Sequence, residues 1–204
     1  MEILPQITQI LAETPSIAID TIRASFLKNR VTRKHYTKIE LLKSIAKNHG
    51  LKWRKMQDAK EIKIAGRYEF RGLKITDFYE LEDLSIFYAT TKAPNDCRRK
   101  AVIEFYGLRQ YHYKPAPPLD LIAELLDAIN NVSSIDLCYD SHTPFNLDAF
   151  KIIRYGSTAY VKAEFGVLQR IYFYDKALKN DLGFSLYRAE VTAPIIDLNK
   201  FALL

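Results

Sequence analysis

Two short stretches between residues 168 and 193 carry the side chains best suited to chemistry. Successive side chains of a β-strand point to opposite sides of a sheet, so every second residue shares a face. One face of the first stretch carries hydroxyl and basic groups, namely Arg170, Tyr172, Tyr174 and Lys176. The matching face of the second stretch carries Leu186, Arg188, Glu190 and Thr192. We predict a β-hairpin whose polar face is a poor core but a good site for phosphate chemistry, and whose buried side is Tyr187, Ala189 and Val191.

Residues 134–140 are typical of a third strand that complements this hairpin. Its apolar side is Ile135, Leu137 and Tyr139. If the three strands are neighbours, Asp136, Asp140 and Glu190 share one face. Three carboxylates repel one another unless a cation lies among them, and oxygen ligands select a hard divalent ion such as Mg²⁺ or Mn²⁺. The alternative is that these aspartates form turns or salt bridges.

A tyrosine hydroxyl beside such a cation is suited to phosphodiester transfer. The phenol has a reference pKa of about 10, so it is a weak nucleophile at neutral pH. A nearby metal, lysine or arginine favours the phenolate that must attack, and the same cations stabilise charge on the pentacoordinate phosphate. Simple packing of the tyrosine row remains the other explanation.

The composition is that of a folded, mildly basic protein. With 204 residues and 48% hydrophobic content, the chain can bury a sizeable core. We predict a single domain over residues 1–204, with residues 1–15 as an N-terminal arm. The formal charge of +6 fits a polyanionic partner without requiring one.

The two cysteines and the hydropathy pattern predict a cytoplasmic location. Cys97 and Cys138 have no zinc-ligand spacing and form no disulfide framework, which is typical of a reducing compartment. No apolar run approaches the roughly 20 residues of a membrane span, and the N-terminus lacks a signal-peptide pattern. We therefore expect no membrane partner.

Local patterns predict the remaining elements. Residues 38–48 and 119–129 repeat apolar side chains at helical spacing, and Thr37 and Gly50 are suited to cap and stop the first helix. Strands are predicted at 16–26, 61–64, 68–70, 73–78, 84–91, 101–107 and 152–163, the last with a bend at Gly156 and Ser157. A loop is predicted at 93–96 and a short helical stretch at 147–150. This order predicts an α+β fold with a mainly antiparallel central sheet and helices packed on one face.

Four of these segments resemble the trans-acting rolling-circle replication initiators, or replication initiation factors, and the related relaxases. Residues 134–140 are similar to that family's Arg-hydrophobe-Asp-Leu-Ala-x-Asp strand, and residues 154–157 to its Tyr-hydrophobe-Gly-Ser turn. Residues 170–176, Arg-Ile-Tyr-Phe-Tyr-Asp-Lys, resemble its Arg-Ile-Tyr-Asn/Asp-Lys nucleophile strand. Residues 187–190, Tyr-Arg-Ala-Glu, resemble its Arg-x-Glu strand. With the lead-in at 104–107, the resemblance covers roughly residues 100 to 193.

The resemblance implies an endonuclease and strand transferase on a replication-initiator or relaxase-like fold. The active tyrosine of such enzymes attacks one strand at the origin and forms a 5′-phosphotyrosyl bond. It leaves a free 3′-hydroxyl for the polymerase and later reseals the displaced circle. Carried over residue by residue, the resemblance places the nucleophile at Tyr174, with Tyr172 in reserve, and gives catalytic roles to Lys176 and Arg188.

The resemblance also implies the cofactor and the partners. Mg²⁺ or Mn²⁺ is expected at Asp136, Asp140 and Glu190. The expected partner is DNA, as a single strand or an origin hairpin, with a host helicase as a further partner, in the cytoplasm of a bacterial cell that carries a plasmid or phage. The basic side chains expected to contact DNA are Arg154 and Arg170, which lie in the resembling segments, and Arg33 and Lys34, which lie in a separate basic segment at 28–36. A solvated helix edge explains the last two equally well.

Two other functional classes stay open. A non-catalytic nucleic-acid-binding or regulatory protein on the same fold is favoured by Ser134, which stands where the family usually has Arg. A viral structural or assembly protein is supported only by the 13 tyrosines and 11 phenylalanines. A covalent adduct with DNA is the observation that separates the enzyme from both.

Overall fold

The computed structural model describes residues 17–27, 37–56, 75–82, 84–91, 100–109, 116–162 and 168–195. In these ranges the chain is α+β, with ten strands of mainly antiparallel sheet and three helices. The strands are β1 (Ile17–Leu27), β2 (Trp53–Lys55), β3 (Ile75–Leu81), β4 (Ile86–Thr91), β5 (Lys100–Phe105), β6 (Ser134–Ser141), β7 (Ile152–Tyr155), β8 (Thr158–Val161), β9 (Arg170–Asp175) and β10 (Tyr187–Pro194). The helices are α1 (Lys38–Asn48), α2 (Leu119–Ile129) and α3 (Lys176–Asn180).

The described residues fall into two compact units, to both of which β1 contributes. The first unit comprises residues 17–22, 108–109, 133–162 and 168–195, and the second comprises the remaining described residues. The arm predicted at residues 1–15 lies outside the described residues. The single domain stays a prediction.

The first unit has the strand order β1-β6-β10-β9-β8-β7. Strand β10 pairs antiparallel with β6 on one side and with β9 on the other. Strands β9, β8 and β7 continue as antiparallel pairs, with the bend at Gly156 and Ser157 joining β7 to β8. The predicted hairpin and its predicted neighbour at 134–140 are therefore confirmed as adjacent strands.

The second unit has the strand order β2-β3-β4-β5-β1 and contains helices α1 and α2. Helix α2 buries an apolar stripe that consists of Leu121, Ile122, Leu125, Leu126 and Ile129. It lies against α1, where the Lys38 ammonium donates a hydrogen bond to the Ile129 carbonyl. The two helices predicted from apolar periodicity are thus confirmed at their predicted bounds.

Helix α1 forms because both of its ends are specified locally. The Thr37 hydroxyl accepts a hydrogen bond from the Glu40 N–H, and the Glu40 carboxylate accepts one from the Thr37 N–H at 2.7 Å. This reciprocal pair satisfies two amide groups that a helix start otherwise leaves without partners. Gly50 follows the last turn with φ +72°, a conformation that costs glycine little. Thr37 and Gly50 are the cap and stop that the sequence predicts.

Several local predictions differ from the structure or lie outside it. Residues 147–150 form a turn, in which the Phe150 N–H donates to the Leu147 carbonyl, rather than a helical stretch. The Asp148 N–H is already bonded to the Asn146 side chain, which closes a local turn instead of a helical one. Strand β2 and helix α3 were not predicted, since each is only a few residues long. The strands predicted at 61–64 and 68–70 and the loop at 93–96 lie outside the described residues.

The prediction of which hairpin face is buried is wrong. Arg188 and Glu190 are buried, whereas Tyr187, Ala189 and Val191 are only partly buried. On β6, Tyr139 is likewise 43% exposed although it was placed on the apolar side. The physical reason is that charges on the polar face pair with one another, which compensates much of the cost of removing them from water.

No helix within the described ranges is both long and apolar enough to cross a lipid bilayer.

Candidate active site

The registers of β6, β10 and β9 bring the predicted site residues together on one face of the first unit. Cross-strand partners share a face, so each register position is a row across the three strands. The three rows are Asp136, Thr192 and Arg170; Cys138, Glu190 and Tyr172; and Asp140, Arg188 and Tyr174. Strand β10 is therefore the centre of the site.

The Glu190 carboxylate accepts hydrogen bonds from both candidate nucleophiles. The Tyr174 hydroxyl donates to Oε2 at 3.0 Å, and the Tyr172 hydroxyl donates to Oε1. The rings of Tyr172 and Tyr174 are stacked, with centroids 6.0 Å apart. Lys179 of α3 places its ammonium 4.5 Å from the Tyr174 ring centroid. The buried Glu190 carboxylate thus accepts one hydrogen bond from each tyrosine hydroxyl.

The Arg188 guanidinium lies at the centre of the cluster and has no exposed surface. Its Nε donates to Asp140 Oδ1 at 2.7 Å and its Nη2 to Asp140 Oδ2 at 2.8 Å, a bidentate pair. Its Nη1 donates to Asp20, and Nη2 also donates to the Arg109 carbonyl at 2.9 Å. Arg188 is therefore a cation between carboxylates, which is the role the sequence assigns to a metal ion.

Asp20 of β1 is a site residue that the sequence analysis missed. Its carboxylate is buried and pairs with Arg188, and its backbone carbonyl accepts a hydrogen bond from the Leu108 N–H at 2.7 Å. The sequence feature that could have indicated it is a single charged residue, Asp20, in the mainly apolar run Ile-Ala-Ile-Asp-Thr-Ile. A carboxylate inside a core strand requires a buried partner, and Arg188 is that partner.

The cluster contains more negative groups than positive ones. Its carboxylates are Asp20, Asp136, Asp140 and Glu190, and its cations are Arg188, Lys176 and, beside the Tyr174 ring, Lys179. Burial, together with the charges of Asp20 and Asp136, raises the pKa of Glu190, although the two tyrosine hydrogen bonds oppose this change. Burial and then the Arg188 charge lower the pKa of Lys176, at the start of α3. The pKa of a potential proton acceptor, Glu190, and the pKa of a potential proton donor, Lys176, are therefore both shifted in the direction of neutral pH.

The tyrosines do not have the depressed pKa values that phosphoryl attack favours. Burial, and then the negative charge of Glu190, raise the pKa of both Tyr172 and Tyr174. Arg188 acts in the opposite direction at Tyr174 but does not outweigh these effects. The expectation that neighbouring cations favour the phenolate is therefore not met in this arrangement, and a base must take the proton as the reaction proceeds.

The proposed metal ligands hold other partners. Both Asp140 oxygens accept from Arg188, and both Glu190 oxygens accept from tyrosines. Across the described ranges, no three or more His, Cys, Asp or Glu side chains are grouped so as to hold a metal ion. The donor chemistry nevertheless fits Mg²⁺ at Asp136, because this ion is commonly bound through one or two carboxylates with water and substrate phosphates. The negative charges of Asp136 and Glu190, which interact, also favour an added cation there.

The remaining predicted residues are distributed differently. Arg170 is exposed on the face that carries Tyr172. Arg154 of β7 pairs with Ala159, whose partner on β9 is Phe173, so it lies on the opposite face and is not brought to the tyrosines. Arg33 and Lys34 lie outside the described residues.

No known protein-family model matches this sequence, and no curated protein is significantly similar to it. The similarity to replication initiators therefore remains a prediction based on the motifs themselves.

Replacing Arg188 tests whether it holds the cluster together. Arg188→Met takes the guanidinium away from the buried Asp20 and the partly buried Asp140, so we expect a loss of about 3–5 kcal/mol in the free energy of unfolding. Urea denaturation measures this loss. Arg154→Met, on an exposed strand position, should change the value by less than about 0.5 kcal/mol. A similarly small effect of Arg188→Met would show that the carboxylates do not depend on it.

The raised pKa of Glu190 predicts a pH-dependent stability. A folded-state pKa above the usual 4.5 means that the folded protein binds this proton more tightly than the unfolded chain. The resulting stabilisation is complete below the unfolded pKa and is lost as pH rises through the folded value. Glu190→Gln keeps a hydrogen-bonding partner for each tyrosine but cannot ionise. We expect this variant to be more stable than the wild type at pH 8, with the difference shrinking toward pH 4. A difference that does not depend on pH between these limits contradicts the expectation.

Proposed function

We propose that this protein nicks and rejoins one strand of DNA through a covalent tyrosine intermediate, as a rolling-circle replication initiator does. The observation that supports the proposal is the pair of tyrosine hydroxyls on the buried Glu190 carboxylate, with Arg188 and Lys176 close by. A nucleophile held by a base, which is itself positioned by further charges, is the arrangement that covalent catalysis requires. The motif resemblance supplies the substrate and the reaction.

The chemistry follows from these contacts. As the tyrosine oxygen attacks phosphorus, its proton passes to Glu190, whose raised pKa makes it a stronger proton acceptor than an ordinary carboxylate. A tyrosine–phosphorus bond forms, the bond from phosphorus to the 3′-oxygen breaks, and the 3′-oxygen takes a proton from Lys176. The lowered pKa of Lys176 suits it to give up that proton. The reverse reaction rejoins the strand.

Tyr174 is the preferred nucleophile and Tyr172 the reserve. Tyr174 stands directly before Asp175 and Lys176, as in the nucleophile motif, but is only 5% exposed. Tyr172 is more exposed and bonds to the other oxygen of the same carboxylate. Because Glu190 contacts both, the same proton acceptor serves either assignment.

A divalent ion is the remaining part of this proposal. Of the three expected ligands, Asp136 would hold Mg²⁺ or Mn²⁺ together with water and substrate phosphates, whereas the Asp140 oxygens accept from Arg188 and the Glu190 oxygens accept from the two tyrosines. The ion, when bound, supplies positive charge to the non-bridging phosphate oxygens. DNA as a single strand or origin hairpin and a helicase partner likewise come from the resemblance, whereas a cytoplasmic site of action is proposed from the cysteine and hydropathy patterns.

A second candidate function is a non-catalytic DNA-binding protein. It is favoured by the burial of Tyr174 and by the hydrogen bonds that tie both hydroxyls to Glu190. In that case the cluster is a structural core element. The experiment that follows separates the two functions.

Adduct formation with a single-stranded oligonucleotide tests the catalytic function. In the presence of Mn²⁺, we expect a slower band on a denaturing gel that survives boiling. Tyr174→Phe should abolish the band, because the attacking oxygen is lost, while DNA binding is retained. Tyr139→Phe, on the opposite face, is the matched control and should keep the band. Loss in Tyr172→Phe alone moves the nucleophile to Tyr172, and no adduct from the wild type favours the non-catalytic protein.

Removing divalent ions tests the metal. We expect excess EDTA to abolish the adduct and added Mn²⁺ to restore it, and Asp136→Asn to raise the Mn²⁺ concentration needed for half-maximal adduct. Binding of the oligonucleotide, followed by fluorescence anisotropy in EDTA, should persist. An undiminished adduct in EDTA means that Arg188 and Lys176 supply the positive charge without a metal.

A further inference from the structure

Three tyrosines form a row of contacting rings that leads from the edge of the first unit to the candidate site. The rings of Tyr155 on β7 and Tyr160 on β8 meet edge to face with centroids 5.7 Å apart. Tyr160 stacks on Tyr172 of β9 at 5.5 Å with an interplanar angle of 29°. Exposure falls along the row, from 68% at Tyr155 to partial burial at Tyr160 and Tyr172. The sequence analysis did not predict this row, since its members lie on separate strands.

A row of positive charges runs beside these rings on the same face. Arg170 precedes Tyr172 by two residues on β9, and Lys162 follows Tyr160 by two residues after β8. The Lys162 N–H donates to the Lys151 carbonyl at 2.7 Å, so the β7–β8 pairing extends to these two lysines. Side chains two residues apart share a face, so all three cations lie on the face of the tyrosine rings, one row to the side of Tyr160 and Tyr172. All three are exposed.

Aromatic rings beside a line of cations match the chemistry of a single nucleic-acid strand. Unpaired bases stack on tyrosine rings whatever their sequence, and the phosphates interact with the cations. A duplex offers no free base faces to such a row. Strand β7 is last in the strand order of the first unit. An incoming nucleic-acid strand would therefore meet Tyr155 at the edge of the described sheet. Nonspecific single-stranded binding by aromatic residues in a basic track has the same components.

We propose that Tyr155, Tyr160, Lys151, Lys162 and Arg170 form a binding track for single-stranded nucleic acid that delivers a phosphodiester to Tyr172 and Tyr174. The tyrosines receive bases and the cations receive phosphates, and the strand crosses β7, β8 and β9 toward Glu190. The delivery step rests on the proposed nicking function. Binding of single-stranded nucleic acid to the track does not depend on that function.

Removing the exposed ring tests the stacking part of the track. The probe is a short fluorescein-labelled oligothymidine, and its affinity is measured by fluorescence anisotropy. Tyr155→Ala should weaken binding by about 5- to 150-fold, the effect of losing one base–aromatic stack. Tyr155→Phe keeps the ring and should bind like the wild type. Tyr139→Ala, which removes an exposed ring from the opposite face, should have no effect.

Salt dependence tests the cationic part. Each phosphate contact on a single strand contributes about 0.7 to the slope of log affinity against log salt concentration. Lys162→Gln should therefore reduce the magnitude of the slope by about 0.7. Arg154→Gln is the matched control, because Arg154 is exposed on the opposite face of β7, and its slope should equal that of the wild type.

The outcomes separate the track from the nicking function. If Tyr155→Ala and Lys162→Gln weaken binding but the wild type never forms an adduct, the track stands and the nicking function fails. If an adduct forms while both variants bind like the wild type, the track is wrong and the nicking function stands. Equal affinity for single and double strands, with equal losses in the variants, also overturns the track.

Discussion

The pairing of the buried Arg188 guanidinium with Asp20 and Asp140 is the interaction on which the first unit depends. A guanidinium removed from water is tolerated only when its hydrogen bonds and charge are matched, and residues from β1, β6 and the segment after β5 provide that match. The pairing also fixes the register of β10. A slip by one residue would turn Arg188 and Glu190 to the other face and remove the guanidinium from Asp20 and Asp140. The site and the strand order are therefore specified by the same contacts.

An imbalance of charge gives this cluster its chemical character. Arg188 neutralises part of the charge of Asp20 and Asp140, but Asp136 and Glu190 add further negative charge in a buried setting. Glu190 responds with a raised pKa, and Lys176 is held where its ammonium is disfavoured. The imbalance supports a role in proton transfer, because such pairs of shifted groups concentrate at functional sites.

The sequence predicts some features of this protein well because they depend on local interactions. Helices α1 and α2 follow from apolar periodicity and, for α1, from the Thr37 cap, so their bounds are predicted correctly. Strand alternation likewise predicts which residues share a face with Tyr172. It does not predict which face is buried, because charged residues are assigned to the outside unless their partners are known. Asp20 is distant in sequence from Arg188, so no local pattern joins them.

Helix α3 and the position of Arg154 illustrate the same limit of prediction from local sequence. Helix α3 begins at Lys176 because the Asp175 side chain caps it by accepting a hydrogen bond from the Leu178 N–H. This cap can be recognised only when the end of β9 at Asp175 is known. Arg154 was expected to contact DNA because it opens the segment that resembles the Tyr-hydrophobe-Gly-Ser turn. The register places it opposite, beside Ala159, because strand neighbours alternate in direction. Because successive residues of a strand point to opposite faces of the sheet, closeness in sequence does not show that two residues share a face.

A gradient of burial across β7, β8 and β9 runs from the proposed binding track to the candidate site. Tyr155 is exposed, Tyr160 and Tyr172 are partly buried, and Tyr174 is buried against Glu190. Stacking on a base requires an accessible ring, whereas a shifted carboxylate pKa requires the exclusion of water. A single environment cannot meet both requirements. Placing the accessible rings at the sheet edge and Glu190 on a strand that is paired on both sides meets them along one continuous row of residues.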